Sequence, residues 1–205
     1  SRFSASTSRN EGNVGSNQAT GREAALMLPA AYQNPPIVRA NLVQGKEGEY
    51  WDADGSSRGI SNHLDRDRLL ALRELADVVV TDGKTARLER YRVPKGCDLA
   101  VITRTGYTPA AGNSTQRYLE LRTDPIGAIE LLKQDGYQRI LLEVGPSLVK
   151  KLLASNLLDQ LCLTNTQFSK ARLETLNISH AKLEFEEVIE DTTFTVWSQI
   201  QAKLA

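Results

Sequence analysis

Cysteine is nearly absent from this sequence. Two are present in 205 residues, Cys97 and Cys162, single and far apart. They make no metal-spaced pair and no disulfide framework, so they read as reduced thiols of a cytosolic protein. Histidine is as scarce. His63 and His180 stand alone, and neither has a second ligand at metal spacing. An excess of one charge is also missing: Lys+Arg and Asp+Glu each number 25, for a formal net charge of zero. That removes the usual reason to expect nucleic acid or an anionic membrane as partner. No apolar run approaches the roughly 20 residues of a membrane span, and no charged stretch leads into an apolar core as in a signal peptide. No internal repeat is present. What remains is 40% hydrophobic and 24% charged, ordinary for one globular domain of this size.

Residues 1–30 read as a flexible or extended N-terminal arm, rich in Ser, Asn, Thr and Gly before a short apolar helical turn stopped by Pro29. Residues 31–205 read as one domain. IVRANLV alternates and predicts a strand over 37–43. A long Gly-rich loop follows, then a helix capped by Ser61 and running to about Leu75. DVVVT predicts a buried strand, and DGKT a turn into the short helix ARLER. Further strands are expected at 98–103 and 117–121. Asp124-Pro125 starts the next helix, with a carboxylate cap and Pro at the first helical position. RILLEV reads as a strand, PSLVKKLLASN as a helix and QLCLTNT as a strand. A terminal hairpin turns at Asp191-Thr192. Strands alternating with helices, then a hairpin, predict an α/β fold: a mostly parallel sheet flanked by helices, with an antiparallel edge.

Ligands of parallel α/β sheets bind at the carboxyl ends of the strands. Two strand exits draw notice, VVVTDGKT and the stretch ILLEVGPSL at 140–148. A glycine there lets a ligand approach the backbone, and the next helix offers free N–H groups to phosphate. Neither is a P-loop or a GxGxxG fingerprint. Each is equally what any β–α turn requires. Glu143 ends an apolar strand, so it must reach a ligand or an internal partner such as an Arg. Ser56, Ser57, Arg58, Ser61, Arg73 and Arg87 could serve a sugar phosphate if the fold gathers them. Trp51 is a candidate for stacking on a ligand, and Trp197 for the core.

Taken in order, VRANLV, SSRGIS, LRELADVVV, T-A-R-x-E-x-Y, E-x-G-P-S-L and LLDQLCLT resemble the pyrimidine reductases of riboflavin biosynthesis, which share the dihydrofolate-reductase-like fold. The resemblance covers most of residues 36–200. It implies a cytoplasmic homodimer that uses NADPH to reduce the ribosyl group of a 5-amino-6-(5-phosphoribosylamino)uracil-type pyrimidine to the ribityl form. Hydride would pass to C1′ of the ring-opened imine. Val43, Thr81, Gly83, Thr85, Glu89, Gly145, Pro146, Ser147 and Leu148 match cofactor positions. Asn41, Ser57, Arg73 and Glu143 match substrate positions, with Arg73 as a phosphate partner. Glu47 is the candidate general acid.

The sequence departs from that family at its glycines. The first exit reads VQGKEGE, with Glu49 where a basic residue is common. The second reads DGKT rather than G-x-G-T, and Val144 replaces the first glycine of the third. A Gly-Gly pair is missing from NTQFSKARLE. The alternative is therefore a divergent paralogue with weakened or lost cofactor binding, serving as a binding or dimerisation module. A pocket filled by Val144 and Asp82 would favour that alternative.

Overall fold

The computed structural model describes residues 26–33, 38–112 and 115–203. The first 25 residues of the expected arm lie outside them. Eight strands form one sheet: β1 (Val38–Gln44), β2 (Val78–Asp82), β3 (Asp98–Ile102), β4 (Tyr118–Leu121), β5 (Ile140–Leu142), β6 (Gln160–Asn165), β7 (Ile178–Ile189) and β8 (Thr192–Ala202). Their order is β4-β3-β2-β5-β1-β6-β8-β7. The first six run parallel, and β8 and β7 pair antiparallel at one edge. This is the expected architecture.

The helices are α1 (Ala30–Gln33), α2 (His63–Glu74), α3 (Gly83–Glu89), α4 (Pro125–Gln134) and α5 (Pro146–Ala154). Strand alternation sorts the core into two layers. Val38, Ala40, Val80 and Leu142 face α4 and α5 through Ile129, Leu132, Val149 and Leu152. Val79, Leu99 and Leu141 face the other way, onto Leu72 of α2 and Ala86 of α3. Both cysteines are buried free thiols. Among the described residues no helix is long and apolar enough to cross a membrane.

Local chemistry moved three boundaries. Asn62, not Ser61, caps α2: its side chain accepts from the Asp65 N–H at 3.0 Å, while Ser61 Oγ donates to the Asp65 carboxylate at 2.7 Å. Helix α3 begins at Gly83 instead of after Thr85, because Asp82 accepts from the Lys84 and Thr85 N–H groups, both at 2.9 Å. The terminal hairpin turns at Glu190 and Asp191, one residue early, with Glu190 left-handed at φ 55°. Asp124 caps α4 as expected, bonding the N–H groups of Ile126 and Gly127.

Candidate functional site

A cavity of about 400 Å³ opens at the carboxyl ends of β1, β2 and β5. The sheet explains its place. Strands β2 and β1 flank β5 in register, so the turns that leave all three emerge side by side. Helices α2 and α3 approach from one face and α5 from the other, and the long loop after β1 supplies the remaining wall.

Ten of the residues singled out in the sequence line this cavity. They are Asn41 and Val43 of β1, Ser57 of the loop, Thr85 and Glu89 of α3, and Glu143 through Leu148 without Val144 counted, namely Glu143, Gly145, Pro146, Ser147 and Leu148. Trp51 also lines it and is half exposed. Val144 contributes to the wall, yet it is 4% exposed and packs in the core under α5. It takes no left-handed φ, so the glycine that it replaces is not required for this backbone. The cavity is not filled by Val144 or Asp82.

Glu143 accepts three side-chain hydrogen bonds. Arg73 Nε donates to Oε1 at 2.8 Å and Arg73 Nη2 to Oε2 at 2.6 Å, while the Tyr91 hydroxyl donates to Oε2 at 2.5 Å. Glu143 itself is 6% exposed. The internal-partner reading of this carboxylate is therefore the one the geometry has. Burial works against the charge on Arg73, but the adjacent Glu143 carboxylate outweighs it and holds the guanidinium above its ordinary range. Burial, then the Glu143 charge, pushes the Tyr91 phenol well up, so Tyr91 stays a protonated donor.

The other acids of the cavity are also engaged. Ser57 donates to Glu89 Oε1 through both its N–H, at 2.9 Å, and its hydroxyl, at 3.1 Å. A cofactor-matched and a substrate-matched position thus hold each other, and they tie the loop to α3. Asp82 closes the start of α3, and its Oδ2 also accepts the Thr85 hydroxyl at 2.8 Å. Helix α5 differs: its N-cap is Gly145, with no side-chain cap. A Cβ built on Gly145 would meet nothing within 4 Å, so the backbone there is open to close approach by a ligand.

Four sequence-derived candidates lie off the cavity. Arg73 is not among the lining residues; its Nε and Nη2 are both turned to the Glu143 carboxylate instead of into the cavity. Glu47 sits on the loop surface, its side chain 76% exposed and 3.6 Å from Arg172. It is not among the residues that line the cavity. Thr81 is fully buried inside β2. Gly83 faces β3: a Cβ there would lie 2.7 Å from Thr103 Oγ1, so this glycine permits helix–strand contact and not ligand approach. The wider hydroxyl–guanidinium cluster does not converge. Arg58 bonds the Leu88 carbonyl and Ser56, and Arg87 bonds the Gly106 carbonyl. Glu49, at a position where a basic residue was noted, accepts the Glu47 N–H within its own loop.

Sequence reasoning missed Tyr50, Leu69, Lys84, Tyr91 and Lys151 as cavity residues. Tyr91 closes T-A-R-x-E-x-Y, so a signal was present. Lys151 had none beyond its place four residues after Ser147 on one helical face. Among the described residues no group of His, Cys, Asp and Glu could hold a metal ion.

No family model matches the chain, and no curated protein is similar to it in sequence. Its fold has clear counterparts. A pyrimidine reductase-like protein from Corynebacterium diphtheriae superposes with a TM-score of 0.65 at 19% identity, over 90% of this chain and 100% of that one. A diaminohydroxyphosphoribosylaminopyrimidine deaminase/5-amino-6-(5-phosphoribosylamino)uracil reductase from Thermotoga maritima gives a TM-score of 0.63 at 11% identity, over 80% of this chain and 56% of that one. RibD from Acinetobacter baumannii gives 0.61 at 15% identity, over 80% of this chain and 58% of that one. The chain therefore spans just over half the length of these two proteins.

Proposed function

From the pyrimidine-reductase fold, we propose that this chain reduces the ribosyl group of a 5-amino-6-(5-phosphoribosylamino)uracil-type pyrimidine to the ribityl form, with NADPH as reductant. The single observation that carries the reading is the shared cavity. Seven cofactor-matched and three substrate-matched positions, scattered over residues 41–148, line one space at the strand ends. Its open volume favours this reading over the paralogue without a cofactor site.

The residues present fit a dinucleotide. Gly145 leaves room beside the backbone, and α5 begins without a side chain on its first N–H groups. Val43, Thr85, Gly145, Pro146, Ser147 and Leu148 would hold the cofactor, and Asn41 and Ser57 the substrate. NADPH supplies the hydride. The rest falls to positioning: the chain has to hold C1′ of the ring-opened sugar against the donor and keep water out. Apolar Leu42, Leu69, Leu88 and Leu148 serve that exclusion. Arg73 and Tyr91 hold the Glu143 carboxylate at the cavity wall, so the three together keep α2 against the exit of β5 and give the substrate a fixed wall to seat on. The chain is read as a cytoplasmic homodimer, as its resemblance to the pyrimidine reductases implies.

Titration of the purified protein with NADPH, following nicotinamide fluorescence, tests the proposal. Micromolar binding, with NADPH consumed on addition of the phosphoribosylaminopyrimidine, is the expected result. A folded sample that binds no NADPH up to millimolar concentration would overturn it.

A further inference from the structure

Five charged side chains line the cavity: Asp82, Lys84, Glu89, Glu143 and Lys151. The three acids are all spoken for. Asp82 accepts two backbone N–H groups and the Thr85 hydroxyl, Glu89 accepts Ser57, and Glu143 accepts Arg73 and Tyr91. Two of these three also have a cation close by, Arg73 for Glu143 at 2.6 Å and Arg58 for Glu89 at 4.0 Å. Neither lysine ammonium has a partner among the described residues. A surface lysine beside carboxylates ordinarily pairs with one of them or is simply solvated. Here the carboxylates of the same cavity already accept internal donors, so the charged donors left for a ligand are the two ammonium groups of Lys84 and Lys151.

The topology separates the two cations. Lys84 is on α3, which packs through Ala86 onto one face of the sheet. Lys151 is on α5, which packs through Val149 and Leu152 onto the other face. They reach the cavity from opposite sides of the strand ends. We propose that Lys84 and Lys151 are the anion anchors of this cavity, and that its ligand carries at least two separated negative charges, as a phosphorylated dinucleotide does. Arg73, expected as a partner for the substrate's phosphate, instead bonds Glu143. The inference rests on the dinucleotide reading for the ligand's identity, and on the charge pattern for its class.

Calorimetric titration of the whole chain with NADPH and, separately, with inorganic pyrophosphate tests it, using the parent protein, Lys84→Met, Lys151→Met and the double variant. Both lysines are exposed, so circular dichroism should show unchanged folding. Each single substitution should weaken NADPH about tenfold, and the double about a hundredfold, since distant sites add. Lys→Arg at either position should keep most of the affinity. NADPH binding that is unchanged in both single variants would overturn the lysine assignment and leave the reductase reading standing. Pyrophosphate binding that is lost with the lysines, in a protein that ignores NADPH, would support the lysines and overturn the reductase reading. A parent protein that binds neither probe overturns both.

Discussion

Arg73 and Glu143 are 70 positions apart in sequence and form a two-pronged ion pair at the wall of the cavity, with Arg73 Nη2 2.6 Å from Glu143 Oε2. Helix α2 carries the arginine and the exit of β5 the carboxylate. Helix and strand are thereby clamped at the point where the cavity begins. The pair also decides which charges are left for a ligand.

Removing one partner of this pair strands a buried charge. Arg73→Ala should lower stability by about 3–5 kcal/mol, and the double change Arg73→Met with Glu143→Leu by clearly less. Urea denaturation of the three proteins would read it. A single variant within about 1 kcal/mol of the parent would mean that the pair is solvated and contributes little.

Asp82 is a helix cap before it is anything else. Asp82→Ala frees the Lys84 and Thr85 N–H groups and the Thr85 hydroxyl. A loss of about 0.5–2 kcal/mol is expected, and Asp82→Asn should recover part of it. If thermal unfolding finds alanine and asparagine both equal to the parent, the cap does not hold α3.

The late loop bends through Gln167 at φ 58° and Phe168 at φ 57°, where a Gly-Gly pair was missing from the sequence pattern. The left-handed turn is kept without glycine. Phe168 is 78% exposed, so little packing repays its backbone conformation. Phe168→Gly should therefore cost nothing, and should stabilise by up to about 1 kcal/mol. A clear loss on denaturation would mean that the exposed ring has a partner.

Burial pushes the thiols of Cys97 and Cys162 up to about 11 from an ordinary 9.0. A raised folded value stabilises the protein fully below the unfolded value and is lost as pH rises through the folded one. Stability should fall between pH 9 and 11, by about 2–3 kcal/mol for each thiol. Denaturant midpoints across that range should decline more steeply for the parent than for a Cys97→Ala/Cys162→Ala variant. Parallel slopes would mean that the buried tyrosines, not the thiols, set the alkaline limit.

Much of this molecule can be read from local pattern. The alternation of VRANLV and DVVVT, the Asp124-Pro125 start and the paired terminal strands follow from the period of two, from capping and from the fixed φ of proline. These are short-range effects, and they determine the α/β sheet with its antiparallel edge. Capping choice was harder, because Ser61 and Asn62 are both competent and the Asp65 side chain decides between them.

The ordered motifs likewise indicated which turns would meet at the strand ends, and ten of the fourteen candidate positions do line one cavity. Which charges remain free there was not legible. Arg73, Glu143 and Tyr91 are separated by 52 and 70 positions, and their bonding depends on β5 lying between β2 and β1. Gly83 likewise reads as a ligand glycine until Thr103 of the neighbouring strand exit is seen beside it. Sequence alone determined which elements form and, through their alternation and the order of the motifs, the class of fold, since each element is set by residues within a few positions of one another. Only the tertiary structure decided that the cavity's acids are consumed and its lysines are not, since hydrogen bonds and ion pairs form between groups that the fold, and not the chain, makes neighbours.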